Sequence, residues 1–305
     1  MAVLSIQSHV VYGYAGNAAA VFPLQRLGRE VWAVNTVEFS NHTGYGSWQG
    51  DVLSAELAAR LIKGLEERGV LRYAEAALSG YLGDAAIGKV VKDAVIKIKR
   101  ESPGAVYCCD PVMGDAGHGF YVKPGILEMF KEELVPIADI ITPNQFEAEA
   151  LSQASMAELC GAYEAVDALH AMGPRVVLVT SYREKEGEIS MLASDKTNLY
   201  KVTTPEIALG ADVSGTGDVA AALFLSRYLE TGNLKQALEM CAASIFGVLQ
   251  ASVFEHEKES STLKEGGALK EGSAHNEGRP VMELKLISAQ EELCWPSHVF
   301  EAVKL

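Results

Sequence analysis

The sequence has few cysteines and fewer basic than acidic residues. Cys108 and Cys109 are adjacent, while Cys160, Cys241 and Cys294 are scattered, so neither a C-x-x-C pair nor a regular framework is present. This usage excludes a disulfide scaffold and favours a reducing compartment, the cytoplasm. The 26 Lys and Arg residues against 40 Asp and Glu residues give a formal net charge of -14. That charge opposes binding to nucleic acid or to an anionic membrane surface, so we expect neither partner.

The sequence predicts neither a targeting segment nor an apolar run long enough to span a membrane. The N-terminal stretch MAVLSIQSHVVYGY has no basic leader before its apolar residues. The longest weakly polar stretch, residues 241–254, is too short to span a bilayer. We therefore expect a soluble protein that is not exported.

What the sequence has in abundance is material for a buried core. Hydrophobic residues make up 49% of the 305 positions, which favours one large domain over residues 1–305. Short apolar runs rich in branched residues alternate with longer segments of helical period. This alternation predicts the α/β class, with a doubly wound, mostly parallel sheet and helices on both faces. The predicted parallel strands are residues 3–6, 31–37, 76–82, 106–109, 137–142 and 176–180.

Local signals locate other elements. Ser54 can cap a helix, and Ser155 with Glu158 can form a capping box before another. The apolar face of the first helix is expected at Leu57, Leu61 and Leu65. Residues 189–193 and 199–204 are predicted to form an extended pair near one sheet edge, and two long helices should follow Asp218.

Residues 255–280 depart from this pattern. They contain almost no large apolar residues and carry the tandem hexamers LKEGGA and LKEGSA. Such a segment cannot bury enough surface to offset the cost of ordering it, so we predict a flexible, solvated insertion. The alternative is a regulatory or partner-binding loop.

The run ADVSGTGDVAAALF contains the clearest chemical signal. Gly215, Thr216 and Gly217 precede an apolar helix, whose first free N–H groups would form an anion site, and Asp218 could accept a hydroxyl proton beside it. Both parts are what phosphoryl transfer needs. The alternatives are that Asp218 only complements the helix dipole, or that Gly215, Gly217 and Ala220 form a weak dinucleotide-binding pattern. A G-x-x-x-x-G-K-S/T phosphate loop and an H-E-x-x-H zinc motif are both absent.

Five motifs then appear in one order along the chain. They are SIQSHVVYGYAGN (5–17), FSNHTGYG (39–46), CDPVMGD (109–115), TPNQFEAE (142–149) and GTGD (215–218). In this order they resemble the pyridoxal kinases of the ribokinase superfamily, and the resemblance extends from Met1 to the closing VFEAVKL. The insertion is longer than this family leads us to expect.

The resemblance implies a pyridoxal pocket lined by Ser8, Thr43 and Tyr81, with Phe39 and His42 close by. The ring nitrogen, phenolic oxygen and aldehyde of the vitamin need polar partners, and its flat face needs an apolar wall. Without the resemblance, the favoured interpretation is that Ser8 and Thr43 lie in turns and that Tyr81 lies in the core.

Oxygen-bearing side chains follow two neighbouring predicted strands, where open α/β sheets bind ligands. These are Asp110, Asp115, Asn144 and Glu147. A set with so few ligands suits a metal ion that is bound to a nucleotide better than a metal ion coordinated by protein ligands alone. The alternative is that the first two flank a turn and the last two cap the next helix.

By resemblance, ATP and its metal would be held by Asp110, Asp115, Tyr121, Thr142, Glu147, Thr180 and Ser181. The divalent cation would be Mg²⁺, with Zn²⁺ as second candidate, at Asp115, Glu147 and Asp110. Asp110 would also belong to a monovalent-cation site.

The function implied is transfer of the γ-phosphoryl group of ATP to the 5'-hydroxymethyl oxygen of pyridoxal, pyridoxine or pyridoxamine. Asp218 would be the base, the Gly215–Gly217 amides would stabilise charge, and a homodimer is expected. A hydroxymethylpyrimidine kinase and a non-catalytic protein that binds nucleotide or vitamin B6 remain as alternatives.

Overall fold

A computed structural model describes residues 2–265 and 280–305. The strands are β1 (Ala2–Val10), β2 (Glu30–Phe39), β3 (Gly50–Val52), β4 (Ala74–Ser79), β5 (Val106–Cys109), β6 (Gly114–Asp115), β7 (Gly119–Phe120), β8 (Ile140–Ile141), β9 (Val176–Tyr182), β10 (Glu188–Ser194), β11 (Leu199–Pro205), β12 (Asp212–Val213), β13 (Val281–Met282) and β14 (Val303–Lys304). The helices are α1 (Asn17–Arg26), α2 (Ala55–Glu67), α3 (Ala85–Glu101), α4 (Ile126–Met129), α5 (Gln145–Ser152), α6 (Leu159–Ala171), α7 (Thr216–Thr231), α8 (Leu234–Glu265) and α9 (Gln290–Cys294).

These elements build one large, mostly parallel sheet. Ten strands of the described residues are hydrogen-bonded in the order β14-β11-β10-β9-β8-β5-β4-β1-β2-β3. The central strands, from β9 to β2, pair in parallel, and the predicted extended pair β10 and β11 is antiparallel and close to one edge. Because parallel strands end on the same side, the loops after β1, β4, β5, β8 and β9 meet at one edge of the sheet.

Each face of the sheet is covered by helices, as expected. Along β1, Leu4 and Ile6 join the core cluster under α2, α3 and α6, while Val3 joins the opposite cluster under α1, α7 and α8. Successive side chains of a strand point to opposite faces, and both faces here are buried. This explains why the central strands are continuous apolar runs.

The predictions for α2 were partly confirmed. Ser54 caps the helix as expected, accepting a hydrogen bond from Leu57 N–H at 3.2 Å. The buried face of α2, however, contains Ala58 and Ile62, and Leu61 is 47% exposed. Leu65 is partly buried against the core, so the predicted face is only partly right. Each step of four residues turns about 40° around a helix that has 3.6 residues per turn, so the three leucines do not keep one position on its surface.

The predicted capping box before α6 is also absent. Helix α6 has Glu158 at its N-cap without a side-chain hydrogen bond, and the Ser155 hydroxyl accepts from Ala157 N–H instead. Met156 is fully buried and its N–H donates to Glu149, which keeps the chain in a loop before the helix.

The predicted strand at 137–142 is shortened to β8. Residues Val135–Ile137 form a single 3₁₀ turn that contains Pro136. Because proline has no N–H to donate, it favours a turn over a position in the sheet.

Helix α8 is longer than the sequence predicts for this region. Over Leu234–Glu259 it has the length and composition to cross a membrane, contrary to what residues 241–254 indicated. About half of that stretch is buried, and the helix packs on α7, α9, β10 and β11. This packing is that of a core helix. The same helix continues to Glu265, eleven residues into the predicted insertion. Residues 266–279, with half of the first hexamer and all of the second, lie outside the described residues.

Candidate active site

The predicted site residues come together around one cavity of about 590 Å³ at the carboxyl ends of the parallel strands. Every one of them except Ser181 lines it: Ser8, Phe39, His42, Thr43, Tyr81, Asp110, Asp115, Tyr121, Thr142, Asn144, Glu147, Thr180, Gly215, Thr216, Gly217 and Asp218. The strands and the glycine turn therefore deliver distant parts of the chain to one place.

Ser181 is the exception because of the pleat of its strand. It follows Thr180 on β9, and Thr180 lines the cavity. Neighbouring residues of a strand point to opposite faces, so only one of the two side chains can point toward the ligand side. The prediction of Ser181 as an ATP residue has no support in this arrangement.

The glycine turn closes one side of the cavity. Gly215 is the N-cap of α7 with φ +85°, and a Cβ there would lie 2.1 Å from the Tyr14 carbonyl oxygen, so only glycine fits. Helix α7 begins at Thr216, earlier than predicted, and its first intrahelical hydrogen bond runs from Val219 N–H to Gly215 O at 3.0 Å. The preceding amides lie at the positive end of the helix dipole, which suits an anion.

Asp218 lies in the first turn of α7. Its Oδ2 accepts a hydrogen bond from Gly16 N–H at 2.9 Å, which joins the turn after β1 to the glycine turn. Burial raises the pKa of Asp218 to about 6, and the Gly16 hydrogen bond opposes that rise. A carboxylate with this pKa is ionised at neutral pH and still basic enough to accept a hydroxyl proton in a reaction.

Asp110 follows β5 and is 3% exposed. Within residues 2–265 and 280–305, neither its Oδ2 nor the buried hydroxyl of Thr142 has a hydrogen-bond partner. Burial, together with the charges of Glu147 and Asp218, raises the pKa of Asp110 well above its ordinary value, and the nearby Thr142 hydroxyl opposes that rise only in part. Two unpaired oxygen ligands beside other carboxylates form an environment that a cation would stabilise.

Glu147 and Asn144 make the helix cap that was the alternative interpretation. The Asn144 side chain accepts from Glu147 N–H at 2.9 Å, and Glu147 Oε2 accepts from Asn144 N–H at 3.0 Å, which is a capping box for α5. Glu147 Oε1 also accepts from Met113 N–H at 2.8 Å. Burial raises the pKa of Glu147, and these backbone hydrogen bonds counteract the rise.

Asp115 lies at the mouth of the cavity in the hairpin of β6 and β7. Its Oδ1 accepts from the backbone N–H groups of Gly117 and His118, at 2.8 Å each, and lies 3.0 Å from His118 Nδ1. The described part of the chain contains no cluster of three or more His, Cys, Asp or Glu side chains that could hold a metal. Asp110, Asp115 and Glu147 therefore do not form a cage of their own.

The opposite side of the cavity is formed by β1, β2 and the residues after β4. Ser8 is 9% exposed. Gly16 packs so closely on Ser8 that a Cβ at position 16 would lie 2.1 Å from the Ser8 carbonyl oxygen. Phe39 supplies an apolar wall and contacts Trp48 at 5.9 Å between ring centroids. Tyr81 is half-buried after β4, which raises the pKa of its hydroxyl. Thr43 begins a short 3₁₀ turn above them.

Sequence reasoning missed some contributors to the site. Gly16, His118 and Ser214 also line the cavity. Gly16 stood inside a motif, but its role as a donor to Asp218 depends on a contact between residues 202 positions apart. No local sequence pattern marks such a contact.

The net charge of the cavity is a further constraint on its ligands. Five carboxyl groups line it, those of Asp110, Asp115, Glu147, Asp212 and Asp218, whereas none of its lining residues described here is a lysine or an arginine. An anionic ligand can enter such a cavity favourably only where helix amides and cations offset this charge.

Known kinases share much of this sequence. Residues 72–261 match the family model described as phosphomethylpyrimidine kinase. A pyridoxal kinase PdxY of Rubrobacter xylanophilus is 46% identical over 298 residues, which cover 96% of this chain and 94% of that protein. A pyridoxal kinase PdxY of Deinococcus radiodurans is 40% identical, over 99% of this chain and 96% of the relative.

Solved structures agree with these sequence relatives. Pyridoxal kinase from Leishmania donovani in complex with ADP and pyridoxamine superposes with a TM-score of 0.82 at 33% identity, covering 99% of both chains. The complex of that protein with ADP and pyridoxine gives a TM-score of 0.83 at 34% identity, over 99% of this chain and 98% of the other. The similarity covers the glycine turn and the whole sheet.

Proposed function

The chain belongs to the pyridoxal kinase family, with the ribokinase-like α/β fold, and we propose a mechanism by which its own residues phosphorylate pyridoxal with ATP. The activity is ATP-dependent transfer of a phosphoryl group to pyridoxal, giving pyridoxal 5'-phosphate. Pyridoxine and pyridoxamine are proposed as further substrates, supported by the vitamers named with the Leishmania donovani structures.

Asp218 is the proposed base. Its carboxylate accepts the proton of the 5'-hydroxyl as that oxygen bonds to the γ-phosphorus, and the bond from this phosphorus to the bridging oxygen breaks to release ADP. The observation that carries this role is a partly buried carboxylate with a pKa of about 6, held by Gly16 N–H at the start of α7.

The amides of the glycine turn are proposed to stabilise the phosphoryl group during transfer. Thr216 and Gly217 precede the first intrahelical hydrogen bond of α7, and a Cβ at Gly217 would meet nothing within 4 Å. That open space lets phosphate oxygens approach the backbone closely, where the helix terminus favours negative charge.

Cations are proposed to enter with the nucleotide. The acidic lining without lysine or arginine and the unpaired oxygens of Asp110 and Thr142 fit such groups. Asp115 and Glu147 would hold a divalent cation, Mg²⁺ by its preference for oxygen ligands, and Asp110 would hold a monovalent one. When bound, the divalent cation neutralises charge on the β- and γ-phosphate oxygens.

Ser8, Thr43 and Tyr81 are proposed to orient the vitamin, with Phe39 against its ring and His42 nearby. Asn144, Tyr121 and Thr180 are proposed for the nucleotide side, because they line the same cavity beside the acidic residues. The arrangement separates a side with aromatic and hydroxyl groups from an acidic side that needs cations.

Release of ADP in a coupled assay tests this function. Pyridoxal should support turnover well above hydroxymethylpyrimidine, which has a smaller ring and which the phosphomethylpyrimidine kinase model makes the natural competitor. Faster turnover of hydroxymethylpyrimidine would favour that substrate, and nucleotide or vitamin binding without ADP release would favour a non-catalytic protein.

A cytoplasmic location and a homodimer are also proposed. The location is supported by the free cysteines, of which Cys108 and Cys109 are buried, and the dimer by the family alone. Light scattering of the purified full chain tests the dimer.

A further inference from the structure

Glu283 lies outside the motifs, yet its carboxylate collects three donors beside the cavity. Its Oε1 accepts from Tyr45 OH at 2.8 Å and lies 3.1 Å from His42 Nε2, and its Oε2 accepts from Tyr14 N–H at 2.9 Å. The side chains of Glu283 and His42 are 10% and 8% exposed. Burial of a carboxylate is costly unless hydrogen-bond donors offset it, and these three partners come from two separate segments of the chain.

The backbone holds Glu283 next to the catalytic turn. Strand β13 pairs in parallel with β12, with Val213 opposite Met282, so Ser214 and Glu283 follow the two strands side by side. His42 bridges them, because its Nδ1 lies 3.1 Å from Ser214 Oγ while its Nε2 faces Glu283. With a carboxylate at Nε2, that nitrogen donates, and Nδ1 can accept a hydrogen bond from the Ser214 hydroxyl.

The same contacts form a closed ring through the active site. Tyr14 N–H is held by Glu283, and two residues later Gly16 N–H is held by Asp218. Asp218 is four residues after Ser214, which returns through His42 to Glu283. The turn after β1, the loop that carries Thr43 and the start of α7 are thus fixed relative to one another.

The surroundings of Glu283 stabilise the ionised form of its carboxyl group. Burial disfavours its ionised form, but the hydrogen bonds from His42 and Tyr45 outweigh burial and lower the pKa. Gly13 provides the necessary space, since a Cβ there would lie 2.3 Å from Glu283 Oε1.

We propose that Glu283 is a positioning residue that fixes the vitamin-side loop to the catalytic turn through His42 and Ser214. This inference rests on the proposed assignment of Thr43 and Asp218 to the vitamin. It assigns a function to the segment after residue 280, which contains none of the proposed substrate-binding residues. Pre-organised loops bind a small substrate without the cost of ordering them first.

The experiment compares Glu283→Gln with Glu291→Gln in the full chain. Glutamine keeps the size of the side chain, but its NH₂ group would face Tyr14 N–H, Tyr45 OH or His42 Nε2, each of which now donates to the carboxylate. Glu291 is a matched control in the same C-terminal segment, because its side chain is 68% exposed and its carboxylate pairs with Arg26, away from the cavity. We expect kcat/KM for pyridoxal to fall by on the order of ten- to a hundredfold in Glu283→Gln, with the affinity for a non-hydrolysable ATP analogue unchanged.

A second variant, Tyr45→Phe, removes one of the three donors to Glu283 and keeps the ring; it also removes the contact of this hydroxyl with Tyr12. It should lower kcat/KM for pyridoxal by a few-fold, and its effect should not add to that of Glu283→Gln, because both act through one network. Tyr45→Phe carries the test alone if Glu283→Gln does not fold.

The proposal would be overturned if kcat/KM for pyridoxal were unchanged in Glu283→Gln. It would also be overturned if the affinities for pyridoxal and for the ATP analogue fell by the same factor. Pyridoxal affinity is measured by calorimetry as well. A wild-type chain that did not phosphorylate pyridoxal would refute the function, while the calorimetric difference between wild type and Glu283→Gln would still decide the role of Glu283.

Discussion

Replacing Asp218 with asparagine separates its chemical role from its structural one. The amide keeps the shape of the side chain, and its oxygen can still accept the Gly16 hydrogen bond that Oδ2 now accepts at 2.9 Å. The amide cannot take up the 5'-hydroxyl proton. Loss of a general base typically costs about 10² to 10⁴-fold, so we expect kcat to fall by that factor, with both ligand affinities nearly intact.

The pH dependence supplies a second readout. Burial raises the pKa of Asp218 to about 6, so the carboxylate is about nine-tenths ionised at pH 7 and about one-tenth ionised at pH 5. Because the base must be ionised, kcat of the wild-type protein should fall as the pH drops through 6. This acid limb should be missing in Asp218→Asn.

Single-turnover rates measure the chemical step, with binding of each ligand determined separately. Asp93→Asn is a matched control, because Asp93 lies on the exposed side of α3. A smaller loss of about tenfold would mean that the hydroxyl proton leaves late and that orientation dominates. Near wild-type kcat with the acid limb retained would refute the assignment and leave Asp218 as a residue that stabilises the start of α7.

The remaining predictions concern the glycine turn, the metal and the insertion. Gly217→Ala should fold normally, because the space above Gly217 is open. The added methyl group should displace the phosphate of ATP by about 1 Å, which should lower kcat/KM for ATP by on the order of a hundredfold. Gly215→Ala should instead lower the melting temperature, since φ is +85° and the Tyr14 carbonyl blocks a Cβ; equal melting temperatures for the two variants would contradict this. Asp115→Ala should raise the Mg²⁺ concentration needed for half-maximal rate at saturating pyridoxal while sparing pyridoxal affinity, and an unchanged Mg²⁺ titration would leave Asp115 as a turn residue. Deleting residues 262–274 should preserve activity and solubility, because that stretch has almost no large apolar residues; loss of either would refute a passive insertion.

Motifs and apolar runs predicted much of the site from the sequence. Asp110 and Asn144 each follow a predicted strand, and the carboxyl ends of parallel strands share one edge, so the sequence alone indicates that these two residues lie close together. Asn144 and Glu147 could be assigned to a helix cap or to ligand binding. Their capping box is present and they also line the cavity, so the two interpretations are compatible.

Predictions that depended on the exact face or start of an element were less accurate. Leu61 is exposed and Ser181 does not line the cavity, because a shift of one residue turns a side chain away on either a helix or a strand. Helix α7 begins before Asp218, since Gly215 can adopt a positive φ and act as the N-cap. Such details depend on packing with residues distant in the chain.

The sequence by itself determined the class of the fold, the order of its central strands along the chain and the glycine turn, because these follow from local hydrophobic period and from backbone freedom. Tertiary structure alone decided which donors each carboxylate received. Asp218 accepts from Gly16, and Glu283 accepts from Tyr14 and Tyr45, across separations of more than 200 residues. Hydrogen bonds depend on distances of about 3 Å between atoms, and only the folded sheet brings such remote segments that close.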